Sequence, residues 1–401
     1  MRIVDLSVYG VHPARSAGHL AVLEPLVELA RLGHEVEVLS LGLRRFERRW
    51  PRRFRAAVAE RLHETRLVSA WRVLRALATG TTRFPPIDAA ATFAALARPE
   101  DLARLAAADL VVVESPWVWP FAAAGAGAGR PLVWVAHNVE ADLWEDALRD
   151  RLGAAGLERA RALERRAWQE AALVVALHEE QRRRLAEVYG AREGPVLVQP
   201  LGARIAAPAD DGRRRDARRA LGVPADAVVA LFAASAHEPN REAAAFLERI
   251  AATTAPDVFV LVAGSVAPGR RGFAGGLATG PLPDLEGCWH AADLALNPVE
   301  RGSGMNIKVV EALARSLPVL ATPFGARGVD AGDGTGVVVA DRDGFAAALV
   351  ALARDPDLRA RLAGAAGTQA RARYAWPALA LERERVFLNL AGAGRGAAPA
   401  P

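Results

Sequence analysis

Short apolar runs rich in Val, Leu and Ala alternate along this chain with longer stretches whose apolar positions recur at helical spacing. Continuous or period-two apolar runs read as strands, and 3.6-period stretches as helices. Residues 3–8 form the first strand, followed by a loop holding Gly10, Pro13 and Gly18, a helix to about residue 32, and a strand at 36–40. A helix ending near residue 107 leads to strands at 110–113 and 131–136. Strand 173–177, helix 179–188 and strand 196–199 complete a first βα series. A polar stretch, 202–215, reads as a linker, after which the pattern restarts with strand 228–233, helix 242–251 and strand 258–263. Strand 294–297, a helix after Ser303 and strand 319–321 follow. Alternating strands and helices predict parallel sheets covered by helices, an α/β architecture of two doubly wound halves. Ligands in such sheets sit beyond the carboxyl ends of the strands, so a cleft between the halves is expected.

Length fits that division. The 401 residues exceed one hydrophobic core, and 52% hydrophobic content is ample for two. The predicted boundaries are 1–201 and 216–375, with a helix at 376–390 packing back toward the first half and a loose tail at 391–401. No fixed-period repeat appears. The single cysteine, Cys288, excludes a disulfide scaffold and reads as a small buried hydrophobe. Residues 1–8 do not read as a signal peptide, and no apolar stretch reaches the roughly 18–20 residues needed to span a bilayer. Residues 111–128 come nearest but are broken by Glu114, two prolines and two glycines. A soluble cytoplasmic protein is therefore expected.

Net charge is only +5, yet twelve arginines face three glutamates between residues 44 and 83. Trp50, Phe54, Trp71, Leu74 and Leu77 are interleaved with them. The stretch 44–84 reads as a basic helical insertion. Basic charge beside aromatic side chains suits an anionic membrane surface and a peripheral location on its inner face. A solvated hairpin has the same composition. Nucleic acid ranks behind both, because no zinc-ligand spacing, basic zipper or aromatic RNA-binding motif accompanies the charge.

One lysine stands against fifty arginines, at Lys308 in Gly302-Ser303-Gly304-Met305-Asn306-Ile307-Lys308-Val309-Val310-Glu311. An ammonium is a compact point charge suited to a phosphate in a tight pocket. The glycines precede an apolar-periodic stretch, so Lys308 falls in the first turn of a helix, where backbone N–H groups favour an anion. Glu311 lies one turn further along that face, and a plain surface Lys–Glu pair has the same spacing. The P-loop pattern needs Ser or Thr where Val309 stands, and the dinucleotide fingerprint needs glycine where Ile307 stands. An anion site remains, with its ligand unnamed.

The second half carries further strand-end motifs: Ala233-Ala234-Ser235 before Pro239-Asn240, Ala263-Gly264-Ser265, Gly280-Pro281-Leu282-Pro283-Asp284, and Ala292 through Pro298. The Gly-Ser-Gly-x-x-x-Lys-x-x-Glu segment follows, and Leu317-Pro318-Val319-Leu320-Ala321-Thr322-Pro323 with Gly325 closes the set. With these residues the chain resembles the retaining nucleotide-sugar glycosyltransferases of GT-B fold, family 4 and its relatives. In the first half, Trp134 through Glu140 looks like the family's strand-end histidine segment, and Pro200-Leu201-Gly202 like its Pro-Leu-Gly turn. The resemblance covers most of residues 1–375.

The resemblance implies a division of labour. A nucleoside-diphosphate sugar is the expected co-substrate, with no further cofactor, and the acceptor is a glycan, a lipid-linked or a small molecule. Glu311 is expected to hold the ribose hydroxyls, Lys308 and the amides of Gly302, Ser303, Gly304, Met305 and Asn306 the diphosphate. Ser235 is placed on the donor side. Gly18 is expected to approach the phosphates, and His137 to sit by the reacting sugar. No metal is expected, since enzymes of this family hold the diphosphate without one. Asp293 reads as structural, and Asn138 or Glu140 as a helix cap. Ser303 stands where the family often has a first glutamate, which leaves sugar and retention open. A basic pair common near Ser235 is missing, with Arg241 or Arg270 as candidates to help Lys308. Ser316 stands where glycine is common. A non-catalytic relative and a sugar-nucleotide epimerase on the same scaffold remain alternatives.

Overall fold

The computed structural model describes residues 1–14, 17–42, 53–68, 87–126, 129–302 and 304–396. It has two compact units, Met1–Gln199 with Leu379–Pro401, and Pro200–Ala378.

The first unit is built on eight strands: β1 (Arg2–Ser7), β2 (Glu35–Gly42), β3 (Arg53–Ala59), β4 (Leu62–Val68), β5 (Leu110–Val113), β6 (Leu132–Ala136), β7 (Leu173–Ala176) and β8 (Val196–Val198). Their order is β3-β4-β2-β1-β5-β6-β7-β8, with β3 alone antiparallel to its neighbour. Both faces of the sheet are covered, as continuous apolar runs demand. Val4, Leu6, Val111, Val113 and Trp134 enter one core, while Ile3, Val36, Val38, Val112, Val135 and Phe387 enter the other. Phe387 comes from the last helix, Trp376–Gly396.

One expectation fails here. The described part of the basic insertion, residues 53–68, is a β-hairpin and not helical. β4 pairs with β2 from Val36↔Leu62 to Gly42↔Val68, and its Glu64, Thr65 and Leu67 are buried. The four described arginines each have a carboxylate partner, three of them on another strand or helix. Arg53 grips Asp101 with two hydrogen bonds of 2.5 and 2.6 Å, Arg55 meets Glu37 at 3.0 Å, and Arg61 meets Glu35 at 2.9 Å. Arg66 donates to Glu64 at 2.8 Å. The rest of the insertion lies outside the described residues.

The second unit has seven strands: β9 (Val228–Ala233), β10 (Val258–Ala263), β11 (Arg271–Phe273), β12 (Gly276–Ala278), β13 (Leu294–Asn297), β14 (Val319–Ala321) and β15 (Val337–Val339). Their order is β11-β12-β10-β9-β13-β14-β15, parallel except for β11. Asp293 is structural: its Oδ2 accepts from Val229 N at 2.7 Å and from Arg218 at 2.6 Å. The predicted linker is part helix, since Asp211–Leu221 is helical and Asp210 caps it by accepting from Arg213 N at 2.8 Å. Among the described residues no helix is long and apolar enough to cross a membrane.

Each sheet reverses direction once, between β1 and β5 in the first unit and between β9 and β13 in the second. Such switch points leave an open crevice at the carboxyl ends of the strands, because the flanking connections run to opposite faces.

Candidate functional site

In the second unit the switch point lies between Ser235, which follows β9, and the segment from Gly302, which follows β13. Helix Glu238–Thr254 starts there with Pro239 in its first turn, a position that needs no N–H. Asn240 Nδ2 donates to Ser235 O at 3.0 Å and pins the turn. Gly264 has φ +97, and a Cβ there would lie 2.6 Å from Ala234 O, so the neighbouring loops approach at a distance only glycine permits.

Helix Ile307–Leu313 opens opposite, with Lys308 in its first turn. Lys308 Nζ donates to Asn240 Oδ1 at 3.2 Å and lies 5.9 Å from the centroid of the Phe232 ring. The side chain is half-buried. Burial holds its ammonium down to about 8, partly opposed by the carboxylate of Glu311. Glu311 itself is raised, first by burial and then by Glu286, with Arg315 and Lys308 pulling the other way. Among the described residues its carboxylate takes part in no hydrogen bond.

The residues between the glycines and the lysine are held by their surroundings. Gly302 and Gly304 have φ +137 and +68, and Arg327 donates to Gly304 O at 2.7 Å. Met305 is buried and its sulfur accepts from Leu201 N at 3.3 Å. Asn306 donates through Nδ2 to Phe324 O at 3.1 Å, and no side-chain cap closes the helix at Asn306. Ser303 lies outside the described residues. Arg241 and Arg270, candidates to support the lysine, are engaged elsewhere. Arg241 faces Glu238 at 3.6 Å and Arg270 donates to Leu221 O at 2.6 Å.

The first unit places His137 just beyond β6 and Glu114 just beyond β5, and His137 Nε2 shares a hydrogen bond with Glu114 Oε2. The end of β6 is fixed by buried Gln181, which donates to Ala136 O at 2.8 Å and accepts from Leu177 N at 2.8 Å. Gly18 is not in a loop: it belongs to the first turn of helix Ala17–Arg31, and its carbonyl accepts from the Tyr9 hydroxyl at 3.2 Å. Asn138 does not cap helix Glu140–Glu170. That chain segment turns back at Gly153, so Glu164 reaches the first turn and accepts from Glu140 N at 2.7 Å and Ala141 N at 2.9 Å.

Sequence reasoning missed Asn240, Phe232 and Glu114. Asn240 stood inside a quoted strand-end motif without a role, and Glu114 is an acid directly after an apolar strand, which was the available signal.

Two family models divide the chain. Residues 18–202 match the glycosyl transferase 4-like domain, and residues 227–355 match glycosyl transferases group 1. A phosphatidyl-myo-inositol mannosyltransferase of Mycolicibacterium smegmatis is 32% identical over 186 residues, 43% of this chain and 48% of that protein. A D-inositol 3-phosphate glycosyltransferase of Kineococcus radiotolerans is 30% identical over 275 residues, 56% of this chain and 60% of that protein. The chain thus spans about half the length of the curated relatives it matches. Among solved structures, a sucrose-phosphate synthase from Thermosynechococcus elongatus superposes with a TM-score of 0.74 at 17% identity, covering 98% of this chain and all of that one. HepE from Anabaena, solved with UDP, gives 0.68 at 15% identity over 97% of this chain and 100% of that one. These likenesses show the two-domain GT-B fold.

Proposed function

We propose that this chain, which belongs to the GT-B-fold glycosyltransferases of family 4 type, moves a hexosyl unit from a nucleoside-diphosphate sugar to a hydroxyl of a glycan, lipid-linked or small-molecule acceptor. The observation that carries the reading is Lys308, a half-buried ammonium at a switch point, held by Asn240 at the start of a helix without a side-chain cap. An anion placed there meets a fixed positive charge and the amides of a helix start.

The chemistry follows from that charge. As the glycosidic bond to the diphosphate breaks, negative charge grows on the leaving oxygens. A pre-placed ammonium stabilises that charge more than it stabilises the intact donor, which lowers the barrier. Glu311 is the acceptor for the donor's ribose hydroxyls, since its carboxylate is free of hydrogen bonds among the described residues. His137 hydrogen-bonds a hydroxyl of the reacting sugar. Transfer proceeds with retention and without a metal ion, the lysine taking the place of a divalent cation. The solved relatives named with UDP and with UDP-glucose make UDP the first nucleotide to try.

Calorimetric titration with UDP, GDP, ADP, CDP and dTDP, on wild type and on Lys308→Ala, tests the reading. Micromolar binding of one nucleotide that the variant loses supports the donor site. Failure of every nucleotide to bind folded wild type removes it. Ser303, where a carboxylate is common, favours one second reading, a non-catalytic sugar-nucleotide binder. Hydrolysis of the bound donor without acceptor tells the two apart, because a pure binder releases no free sugar.

A further inference from the structure

Asp5, Glu114 and His137 come together on one face of the first unit, and the transfer chemistry above uses only the histidine. Their meeting follows from strand alternation. Ile3, Val112 and Val135 point into the core shared with Phe387. Two residues further along, β1 and the extensions of β5 and β6 send Asp5, Glu114 and His137 to that same face. β1 pairs with β5 and β5 with β6. Asp5 lies level with Val112, two residues before Glu114, which in turn stands two residues before the level of His137, so the three follow one another diagonally on one face.

Asp5 is fully buried and Glu114 nearly so. Neither Asp5 oxygen has a hydrogen-bond partner, and the carboxyl of Glu114 is the charged group that acts most strongly on it. Two buried carboxylates side by side repel when both are charged, and a proton on one of them removes the repulsion and supplies a donor to the other. Burial first, then the charge of Glu114, push Asp5 well above the usual carboxyl range; Glu64 adds to this and Arg383 opposes it. Arg383 is also buried and donates through Nε to Gln199 Oε1 at 2.8 Å. Glu140 and Tyr9 complete the charged and titratable groups facing this cluster.

His34 shows what a purely structural histidine looks like in this protein. Its Nδ1 meets the Met1 amino group at 3.1 Å and its Nε2 meets Glu384 at 2.8 Å, so both ring nitrogens are occupied. His137 has Glu114 on Nε2, and among the described residues Nδ1 takes part in no hydrogen bond.

We propose that Asp5 and Glu114 are positioning residues for His137: the Asp5 carboxyl proton is donated to Glu114, Glu114 accepts the His137 Nε2–H, and Nδ1 is thereby presented as the nitrogen that meets a substrate hydroxyl. The inference rests on the transfer reading for its kinetic consequence, but the state of the ring is a property of the first unit alone. Glu114 as a carboxylate accepts two hydrogen bonds at once, and the order of donors fixes both tautomer and ring orientation.

Histidine-selective 15N NMR and steady-state kinetics with the donor identified by calorimetry test it together, on the full chain. In wild type, His137 is expected as the Nε2–H tautomer; in Glu114→Ala the tautomers mix and kcat falls about hundredfold while KM stays within about threefold. Asp5→Asn keeps an N–H that donates to Glu114, so it is expected to recover most of the turnover lost in Asp5→Ala. An unchanged tautomer in Glu114→Ala overturns the proposal, as does Asp5→Asn proving as damaging as Asp5→Ala, which marks Asp5 as the charged partner of Arg383. If Asp5→Ala does not fold, Asp5→Asn and Glu114→Gln read by the same spectra decide. Should wild type turn over no nucleotide sugar, the transfer reading fails, and the tautomer in wild type and Glu114→Ala still confirms or refutes the positioning.

Discussion

Lys308 Nζ and Asn240 Oδ1, 68 residues apart in sequence, meet at 3.2 Å and join the first turns of two helices at the β9/β13 switch point. The contact orients the ammonium, and Asn240 is itself tied to Ser235 O. Replacing Lys308 with alanine removes a positive charge available to a diphosphate there. Hydrogen bonds to charged groups contribute about 1.5–3 kcal/mol, so nucleotide affinity is expected to fall roughly ten- to hundredfold. Asn240→Ala, which leaves the charge but releases its direction, should cost less. Calorimetry on both variants orders the two; equal losses contradict the orienting role.

The same lysine gives a pH dependence. Its ammonium titrates near 8, below its ordinary value of 10.5, because burial disfavours the charged form. A diphosphate selects the charged form. Affinity should therefore be level below pH 8 and fall above it, by up to about tenfold per unit until the bound form itself loses its proton. Arginine stays charged across this range, so Lys308→Arg should show a flatter profile even if it binds more weakly. For folding the sign is opposite: between 8 and 10.5 the unfolded chain holds more protons, so this group's contribution to stability improves as pH rises. Titrations at pH 7, 8 and 9 in parallel on both proteins settle the binding arm, and identical slopes count against it.

Ser316 ends helix Ile307–Leu313 with φ +56, a left-handed conformation that costs an L-residue about 1 kcal/mol. Ser316 N donates to Leu313 O at 2.9 Å and Leu317 N to Ala312 O at 3.0 Å, the paired bonds of a helix end that favours glycine. Ser316→Gly is expected to raise stability by about 0.5–1 kcal/mol, read as a shift in the denaturation midpoint at unchanged slope. A loss of stability means that the hydroxyl, which lies close to Gly367, contributes more than the strain removes.

Much of this was legible in advance, and the reasons for the rest are physical. β9, β10, β13 and β14 have the predicted bounds because strands buried on both faces are uninterrupted apolar runs. Lys308 falls in its helix as the glycines and the apolar period require. β3 and β4 were missed because their charges look solvent-facing until the partners are known. Asp101 and Glu37, which hold Arg53 and Arg55, come from other elements. Asp5 inside an apolar strand was visible as an oddity, but its neighbour Glu114 depends on β1 lying beside β5, and sheet order is not written locally. The donor-side residues were readable because they cluster in one segment; the His137 support was not, because three strands supply it.

Glu164 offers a test of a long-range cap. It is fully buried, accepts from Glu140 N, Ala141 N and the Tyr189 hydroxyl at 2.7 Å, and so closes a helix start 24 residues upstream. Burial, followed by the charge of Glu140, raises its carboxyl to about 7 from an ordinary 4.5, against the three donors. Between those two values the folded state binds more protons than the unfolded chain, so the contribution of Glu164 to stability falls as pH rises and is level above 7. Glutamine keeps one acceptor for the helix amides and cannot ionise. Glu164→Gln should therefore be less stable than wild type at pH 5, with the gap in Tm narrowing steadily toward pH 8. Other titrating groups largely cancel in that difference. Melting curves at pH 5, 6, 7 and 8 measure it, and a gap that is constant or widens shows that the charged carboxylate is the better cap and that the donors outweigh its burial.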